Sequence, residues 1–340
     1  MSKIRHNAIS GDWVIVATDR AKKPNAFKGD RAKTQIEPHL EHQHRADCPF
    51  CPGNEAQTAA ESDRFGDENH WRVRVVQNRY PALSPTGEPI RSGDRLFRTV
   101  SGVGFHEVII EHPHHHATIA RLPVAEVAEI LRMYRQRYAR IRTDPRVAAI
   151  VLYKNHGKES GASLVHPHSQ LIATPIVPPQ IRQRTRAAIE FFEETGECIF
   201  CRTLTEELAA ADRILLENDR FVAFVPHAAL FPFQVWIFPR RHTSSFDQIA
   251  DREIVDLATT LKTVLAKLDT GLDNPAYNYT IRSIPTGDRH TDYFHWYVDI
   301  IPRLGILAGF ELGSGMFVNS TLPEENAAFL REVRVADLDS

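Results

Sequence analysis

The feature that most constrains the fold is one order of residues that occurs twice: a C-x-x-C pair, a histidine after a strand, and a histidine within a later strand. The second cysteine and the first histidine are 64 residues apart in the first half and 41 in the second, while the two histidines are 51 and 53 residues apart. The residues are Cys48, Cys51, His115 and His166, then Cys198, Cys201, His242 and His295. Such self-similarity over half the chain predicts two related halves built on one plan.

Apolar periodicity supports this duplication. Residues 124–141 and 254–268 carry apolar side chains at helical spacing, which predicts one long amphipathic helix in each half. Apolar runs at 147–153 and 277–282 predict the strands that follow these helices. We therefore expect an α+β chain with a first half at residues 1–185 and a second half at 186–340, each an antiparallel sheet with packed helices.

The four cysteines all belong to the two C-x-x-C pairs, and none is left over. In a reducing compartment, pairs at this spacing are typical of metal ligands, with free buried thiols or redox activity as alternatives. Each pair needs two further ligands to complete a tetrahedral zinc site, and the chain has 17 histidines to supply them.

The sequence His166-Pro-His168-Ser-Gln170 carries the strongest chemical signal. Read as a strand, it places His166, His168 and Gln170 on one face, because side chains alternate with a period of two. Two imidazoles and a carboxamide suit a site that holds a metal at one end and acts on an anion at the other. The alternative is a polar edge strand without a chemical role.

Charge and composition exclude several classes of function. Lys and Arg total 41 against 43 for Asp and Glu, so broad electrostatic binding to nucleic acid or to a membrane is not expected. The first residues lack the apolar stretch of a signal peptide, and no run approaches the ~18 apolar residues of a membrane span. We expect a cytoplasmic protein.

Nearly the whole chain resembles the galactose-1-phosphate uridylyltransferases and their relative ADP-glucose phosphorylase, of the histidine-triad superfamily of nucleotidyl transferases. The resemblance lies in a His-Pro-His-x-Gln pattern after Gly-x-Ser, where the wider superfamily usually has a third histidine in place of Gln170. Further matching segments are residues 13–24, 48–55, 78–81, 104–107, 155–170 and 309–319. The resemblance implies a duplicated histidine-triad-like fold and a homodimer.

The resemblance also implies roles for individual residues. His168 would be the nucleophile, with Gln170 and Ser163 as donors to the reacting phosphoryl group. The residues expected to contact the substrate are Arg20, Lys23, Asn78, Asn155 and Gly161. A structural zinc would be bound by Cys48, Cys51, His115 and His166. A second zinc, as in the phosphorylase branch, would be bound by Cys198, Cys201, His242 and His295. For Arg20 and Lys23 the alternative is a solvated turn, and for Asn78 it is an ordinary turn residue.

Three functions follow as hypotheses. The first is a uridylyltransferase of galactose metabolism, which exchanges UMP between UDP-glucose and a hexose 1-phosphate through a uridylyl-histidine intermediate. The second is an ADP-glucose phosphorylase, which transfers AMP to phosphate. The third is a non-catalytic zinc-ribbon binding module, against which the near-neutral charge and the absence of basic-aromatic patches count.

Overall fold

Each half of the chain is a series of strands interrupted by one long helix. The structure, a computed structural model, describes residues 2–17, 44–67, 70–94, 96–288 and 291–335. The first half contains β1 (Lys3–His6), β2 (Trp13–Val16), β3 (Glu61–Gly66), β4 (Trp71–Gln77), β5 (Arg91–Ser92), β6 (Thr99–Val100), β7 (Phe105–Ile110), α1 (Val124–Arg142), β8 (Ala149–His156) and β9 (His168–Thr174). There follow α2 (Pro179–Thr195), α3 (Ile199–Ala210), β10 (Ile214–Glu217), β11 (Phe221–Phe224), β12 (Val235–Pro239), α4 (Asp251–Leu272), β13 (Tyr277–Arg282), β14 (Tyr297–Pro302), α5 (Gly309–Ser314), β15 (Phe317–Asn319) and α6 (Pro323–Glu332).

Ten of these strands form one sheet, in the order β10-β11-β12-β14-β13-β8-β9-β7-β4-β3. All of its neighbouring strands are antiparallel. Counted outward from the β13–β8 junction, the two halves use their five strands in the same order: fourth, fifth, third, second and first. In both halves the long helix precedes the fourth strand. The duplication therefore extends to the strand topology.

The α+β class, the antiparallel pairing and the two long helices are confirmed. The two sheets that we expected are joined edge to edge into one, because β8 and β13 pair through their backbones from Leu152 with Ile281 to His156 with Tyr277. Alternating polarity identifies a strand but not its partner across an edge, so the sequence did not show this junction. The division between residues 185 and 186 falls within α2 and stays a prediction.

Helix ends follow local chemistry. Pro179 is the first residue of α2, where a missing N–H costs nothing, and Gly196 ends that helix in the left-handed region at φ 72°. In α4, the side chain of Glu253 accepts a hydrogen bond of 2.7 Å from the Ala250 N–H, which satisfies one of the unpaired amides at the helix start.

The main core lies between one face of the sheet and the pair α1 and α4. On the opposite face, α2 and α3 cover the second half with an aromatic cluster that includes Phe200, Trp236 and Tyr297. Over the first half, that face carries a smaller cluster of Trp71, Val76, Val108 and Ile110, against which Phe50 packs. This difference leaves room for a site on the first half.

A separate three-stranded sheet joins the two ends of the described chain, because β15 pairs in parallel with β2 and β2 pairs antiparallel with β1. Among the residues described, none of the helices has both the length and the apolar character needed to cross a bilayer.

Candidate functional site

His168 is the first residue of β9 and pairs in register with Ile110 of β7. Its Nδ1–H donates a hydrogen bond of 2.8 Å to the backbone carbonyl of His166, which places the proton of the neutral ring on Nδ1. Burial lowers the pKa of His168 below its ordinary value, so the neutral form is favoured. Nε2 makes no hydrogen bond with any described residue, and its lone pair is available for attack on an electrophile.

The alternating pattern had predicted a strand that includes His166. The strand in fact begins at His168. Pro167 has no N–H to donate to a ladder, which is consistent with a strand that starts after it. The backbone N–H of Glu111 nevertheless donates 3.0 Å to the Pro167 carbonyl. His166 therefore lies in the turn that leads into β9, and its ring is free to face the cysteines.

Gln170 lies two residues after His168 on the same face of β9. Its Oε1 is 2.8 Å from His106 Nε2 and 3.0 Å from the Tyr153 hydroxyl. Asn78 joins this group, because its Nδ2 lies 3.0 Å from the same His106 nitrogen. The structure thus brings Gln170 and Asn78 together through His106, and Tyr153 contacts Gln170. Our sequence analysis did not identify His106 or Tyr153 as site residues.

Asn155, on β8, lies beside the loop that leads to His166. Its Oδ1 accepts a hydrogen bond of 2.7 Å from Asn278 Nδ2, a residue of the second half. Gly161 adopts φ +88°, and a Cβ at that position would lie 3.9 Å from Asn155 Nδ2. Ser163 is exposed on the same loop, and its hydroxyl makes no hydrogen bond with a described residue. Arg20 and Lys23 lie outside the described residues.

Cys48, Cys51, His115 and His166 are all buried, and their ligand atoms lie within 4.8 Å of one another. Cys51 Sγ is 3.4 Å from His115 Nδ1 and 3.5 Å from His166 Nδ1. His166 Nε2 donates 2.8 Å to the backbone carbonyl of His112, which leaves Nδ1 unprotonated as a ligand atom. Burial lowers the pKa of His166 to about 3 and that of His115 to about 4. These four residues could hold a metal ion.

In the second half, Cys198, Cys201 and His242 form a matching set within 4.8 Å. Cys201 Sγ is 3.1 Å from His242 Nδ1. A hydrogen bond from Cys201 lowers the pKa of Cys198 to about 5, and a hydrogen bond to Cys198 raises the pKa of His242. His295 lies 3.5 Å from Cys201 Sγ but outside the mutually close set, so three of the four expected ligands are assembled.

The second half has different residues at the positions that correspond to His168 and Gln170. Tyr297 takes the place of His168 and is fully buried, with its ring centroid 4.9 Å from that of Phe238. Asp299 takes the place of Gln170 and accepts hydrogen bonds from three side chains of its own half. Those donors are Gln234 Nε2, Trp236 Nε1 and Arg282 Nη2. In the second half, both positions are therefore occupied by side chains that pack against or bond to residues of that half.

A buried polar network that our sequence analysis missed lies on the opposite side of the sheet, under His168. Glu111 forms an ion pair with Lys154 and accepts hydrogen bonds from Ser169 Oγ and the Tyr134 hydroxyl. Burial would raise the pKa of Glu111, but the Lys154 ammonium and these hydrogen bonds outweigh it and lower that pKa. Lys154 Nζ also lies 3.4 Å from the His168 carbonyl. The pair therefore supports the backbone that carries His168.

Replacing Lys154 by methionine should lower the free energy of unfolding by about 3–5 kcal/mol, because the Glu111 carboxylate then stays buried without its counter-ion. The double variant Lys154→Met with Glu111→Gln should recover most of this loss, since no charge is left in the core. Urea unfolding followed by tryptophan fluorescence measures both.

The exposed pair Arg202 and Glu206, at 2.7 Å, is the matched control, and Arg202→Met should leave the free energy of unfolding nearly unchanged. Equal losses at the two pairs would contradict a special role for the buried one.

Comparison with known proteins places the chain in a family. The family model described as galactose-1-phosphate uridyl transferase, N-terminal domain, matches residues 1–178, and the corresponding C-terminal domain matches residues 183–338. An ADP-glucose phosphorylase of Arabidopsis thaliana is 35% identical over 336 residues, which cover 97% of this chain and 93% of that protein. A galactose-1-phosphate uridylyltransferase of Thermotoga maritima is 29% identical over 344 residues, which cover 98% and 99%.

Solved structures of members of this family superpose on the chain. The crystal structure of an ADP-glucose phosphorylase from Arabidopsis thaliana with bound ADP-glucose superposes with a TM-score of 0.83 at 34% identity, covering 98% of this chain and 100% of that one. A structure of uridylyltransferase gives a TM-score of 0.73 at 30% identity, with 97% of each chain covered.

The duplicated sheet and these relatives define a nucleotidyltransferase. The chain belongs to the galactose-1-phosphate uridylyltransferase family, as its motifs predicted. Membership in an enzyme family disfavours the non-catalytic binding module.

Proposed function

We propose that this protein transfers a nucleotidyl group from a nucleoside diphosphate sugar to an acceptor phosphate through a covalent intermediate on His168. The hydrogen bond from His168 Nδ1 to the His166 carbonyl carries the proposal, because it leaves Nε2 as an unprotonated nucleophile. The low pKa of the buried ring keeps it neutral without a general base.

Two displacements at phosphorus complete the reaction. In the first, the Nε2 lone pair forms a bond to the α-phosphorus, the bond from that phosphorus to the bridging oxygen breaks, and the sugar 1-phosphate leaves with the electron pair. In the second, an oxygen of the acceptor phosphate attacks the same phosphorus, and the nitrogen–phosphorus bond breaks to restore neutral His168. No proton must be removed from an anionic phosphate acceptor, so a general base is not required.

Donors around His168 would stabilise the charge on the phosphoryl oxygens in both steps. Gln170 and Asn155 offer carboxamide N–H groups, and the loop at Gly161 and Ser163 offers further donors. Asn78, beside His106, would contact the nucleotide. We propose phosphate contacts for Arg20 and Lys23 on the basis of the motif alone.

We propose zinc for the first Cys/His set. A tetrahedral zinc with two sulfur and two nitrogen ligands places unlike ligand atoms roughly 3.5 Å apart. The Sγ–Nδ1 separations of 3.4, 3.5 and 3.7 Å in this set fit that geometry. Burial raises the pKa of Cys51 to about 11, so the bare site favours a thiol and the ion would have to displace its proton. When bound, the ion would fix His166, and with it the start of β9, to the turn at Cys48 and Cys51.

The second set supports a second zinc on Cys198, Cys201, His242 and His295. Three of these residues are already mutually close, and His295 contacts Cys201.

For the nucleotide we propose UMP transfer between UDP-glucose and a hexose 1-phosphate, the reaction for which the family is named. A specific observation favours a second candidate, the transfer of AMP from ADP-glucose to phosphate. The Arabidopsis ADP-glucose phosphorylase shares 35% of its residues with this chain, and its structure with bound ADP-glucose superposes over 98% of the chain. The first displacement releases glucose 1-phosphate in both reactions and differs only in the nucleoside monophosphate transferred to His168.

A homodimer and a cytoplasmic location are further proposals. Residues 304–316 expose large apolar side chains, among them Ile306 at 96% and Leu312 at 74%, which a second copy would cover. The four cysteines form no disulfide and lie close to histidines in groups that could hold a metal ion, which suits a reducing compartment.

His168→Gly should lower turnover by on the order of 10⁴-fold or more, since no other group replaces Nε2. The enzyme incubated with α-³²P-labelled donor should carry label on protein, and the variant should carry none. His168→Asn is a control for shape, because its amide can still donate to the His166 carbonyl but has no nucleophile, and it should be equally inactive. Label on the His168→Gly protein would contradict the proposal.

The initial rate with UDP-glucose plus galactose 1-phosphate should exceed the initial rate with ADP-glucose plus phosphate by a factor of about ten or more. A pocket that hydrogen-bonds one base leaves its polar groups unpaired with the other. We expect the uridine pair to be faster. A tenfold preference for the adenine pair would instead establish the second candidate.

Cys48→Ser should reduce bound zinc by one equivalent per chain and lower the midpoint of thermal unfolding. Because a shift of ~1 Å at the nucleophile costs on the order of 100-fold, activity should fall by about that factor. Cys198→Ser is the matched control. It should also lose one equivalent of zinc but less activity, because only the first set includes His166, which bonds to the His168 ring. Elemental analysis and kcat measure these effects. An equally stable Cys48→Ser enzyme with full zinc would contradict the structural role.

A further inference from the structure

The carboxamide of Gln170 can present either end to a ligand, and the two ends are chemically opposite. Only the Nε2–H₂ group donates hydrogen bonds, whereas Oε1 accepts them. A phosphoryl group in transfer gathers negative charge on its oxygens, so only the nitrogen end stabilises it. The orientation of this amide therefore matters for the proposed function, on which the present inference rests.

His106 supplies the first restraint on that orientation. The backbone N–H of Ala82 donates 3.1 Å to His106 Nδ1, which must then carry a lone pair. The proton of the neutral ring therefore lies on Nε2, which is 2.8 Å from Gln170 Oε1. Asn78 Nδ2, 3.0 Å from the same nitrogen, is itself a donor and cannot accept this proton. The oxygen of Gln170 is the acceptor.

Tyr153 supplies the second restraint, because its hydroxyl donates 3.0 Å to the same Gln170 Oε1. The two donors use both lone pairs of the oxygen. If the amide were turned over, its N–H₂ group would face the N–H of His106 and that hydrogen bond would be lost, and the Tyr153 hydroxyl would have to change from donor to acceptor. We propose that His106 and Tyr153 are positioning residues, which hold the Gln170 carboxamide with Nε2 directed at the reacting phosphoryl group.

The three side chains lie on adjacent strands of one rigid sheet. Gln170 on β9 pairs in register with Tyr153 on β8, and it pairs with Val108 on β7, two residues from His106. Side chains at this spacing share a face of the sheet. Backbone pairing therefore fixes the relative positions of the three groups before any substrate binds.

His106 also connects Gln170 to the segment where nucleotide contact is proposed. Its backbone carbonyl accepts a hydrogen bond of 2.8 Å from the Asn78 N–H, and its Nδ1 accepts one from Ala82. Both ends of residues 78–82 are therefore bonded to the residue that orients Gln170.

The carboxamide of Asn155, the second one in the site, is oriented in the same way by Asn278. Asn278 Nδ2 lies 3.0 Å from the Ser160 carbonyl, which can only accept, so this group of Asn278 is the amide nitrogen. The same nitrogen is 2.7 Å from Asn155 Oδ1. Asn155 therefore presents its oxygen to Asn278, and its own N–H₂ faces the loop at Gly161. In both carboxamides neighbouring donors hold the oxygen, and the nitrogen makes no hydrogen bond with a residue that the structure describes.

The experiment compares kcat and KM of single variants with the donor and acceptor pair that the enzyme turns over faster. Gln170→Ala should lower kcat by about 100-fold, the usual loss for one preorganised donor. Tyr153→Phe should lower kcat by about tenfold and leave the KM of the sugar nucleotide within about threefold. His106→Leu should lower kcat by about the same factor and also raise that KM, because the hydrogen bond from Ala82 to His106 Nδ1 is lost. His106→Gln, which can place an amide N–H near the former Nε2, should restore kcat to within about threefold of the unmodified enzyme.

The decisive comparison is made in the Gln170→Ala background. If His106 and Tyr153 act through Gln170, adding Tyr153→Phe or His106→Leu to Gln170→Ala should change kcat by less than about twofold. Losses that multiply in the double variants would overturn the proposal, as would a His106→Gln enzyme as impaired as His106→Leu. Tyr138→Phe removes a buried hydroxyl of α1 that makes no hydrogen bond with a described residue, and it should leave kcat unchanged.

This test separates the inference from the proposed function. An enzyme that turns over but never carries nucleotide on His168 contradicts the covalent mechanism. Losses of kcat that multiply in the double variants contradict the positioning role alone.

Discussion

Three consecutive carbonyl groups, those of residues 166 to 168, each have a hydrogen-bond donor, and the site depends on this restraint. The first accepts from the His168 ring, the second from the Glu111 backbone, and the third lies 3.4 Å from the Lys154 ammonium. The first bond selects the tautomer of His168, the second joins the backbone to the segment that follows β7, and the third holds it from the opposite side of the sheet. A histidine with the same sequence neighbours but a mobile backbone would exchange tautomers and lose the free Nε2.

The two halves share one strand topology but differ in the sheet face that lies opposite α1 and α4. In the first half, that face carries His168, Gln170 and the groups that orient them. In the second half, α2 and α3 cover the face, Tyr297 is buried among aromatic rings, and Asp299 is bound by its own neighbours. Both halves retain a C-x-x-C pair close to a histidine that follows a strand. The grouping of cysteines with histidines is therefore common to both halves, whereas the histidine at position 168 and the glutamine at 170 have no counterpart in the second.

Local patterns in the sequence predicted the local structure well. The helical spacing at 124–141 and 254–268 gave α1 and α4 within a few residues, and the C-x-x-C pairs identified the residues that assemble with histidines. Periodicity describes how one segment alternates, so it could not show that β8 pairs with β13. His106, Tyr153 and Asn278 were missed for the same reason: each acts on a residue from another strand, and no spacing in the sequence marks such a contact. Gly104-Phe-His106 belonged to a recognised motif, which was the only available signal for His106.

The register of the β13–β8 junction has a further consequence. Tyr153 pairs with Thr280, and these residues also occupy matching positions opposite Gln170 and Asp299, so a local twofold axis passes between them. Two equivalent strands that pair antiparallel across a twofold axis form the kind of contact seen in isologous dimers, here within a single polypeptide. Covalent linkage keeps the two copies together at any concentration, so selection no longer has to keep them alike. The second half, in which Tyr297 takes the place of His168, contributes Asn278 and shields the edge of β8, and deleting it would leave that edge open to pairing with other chains.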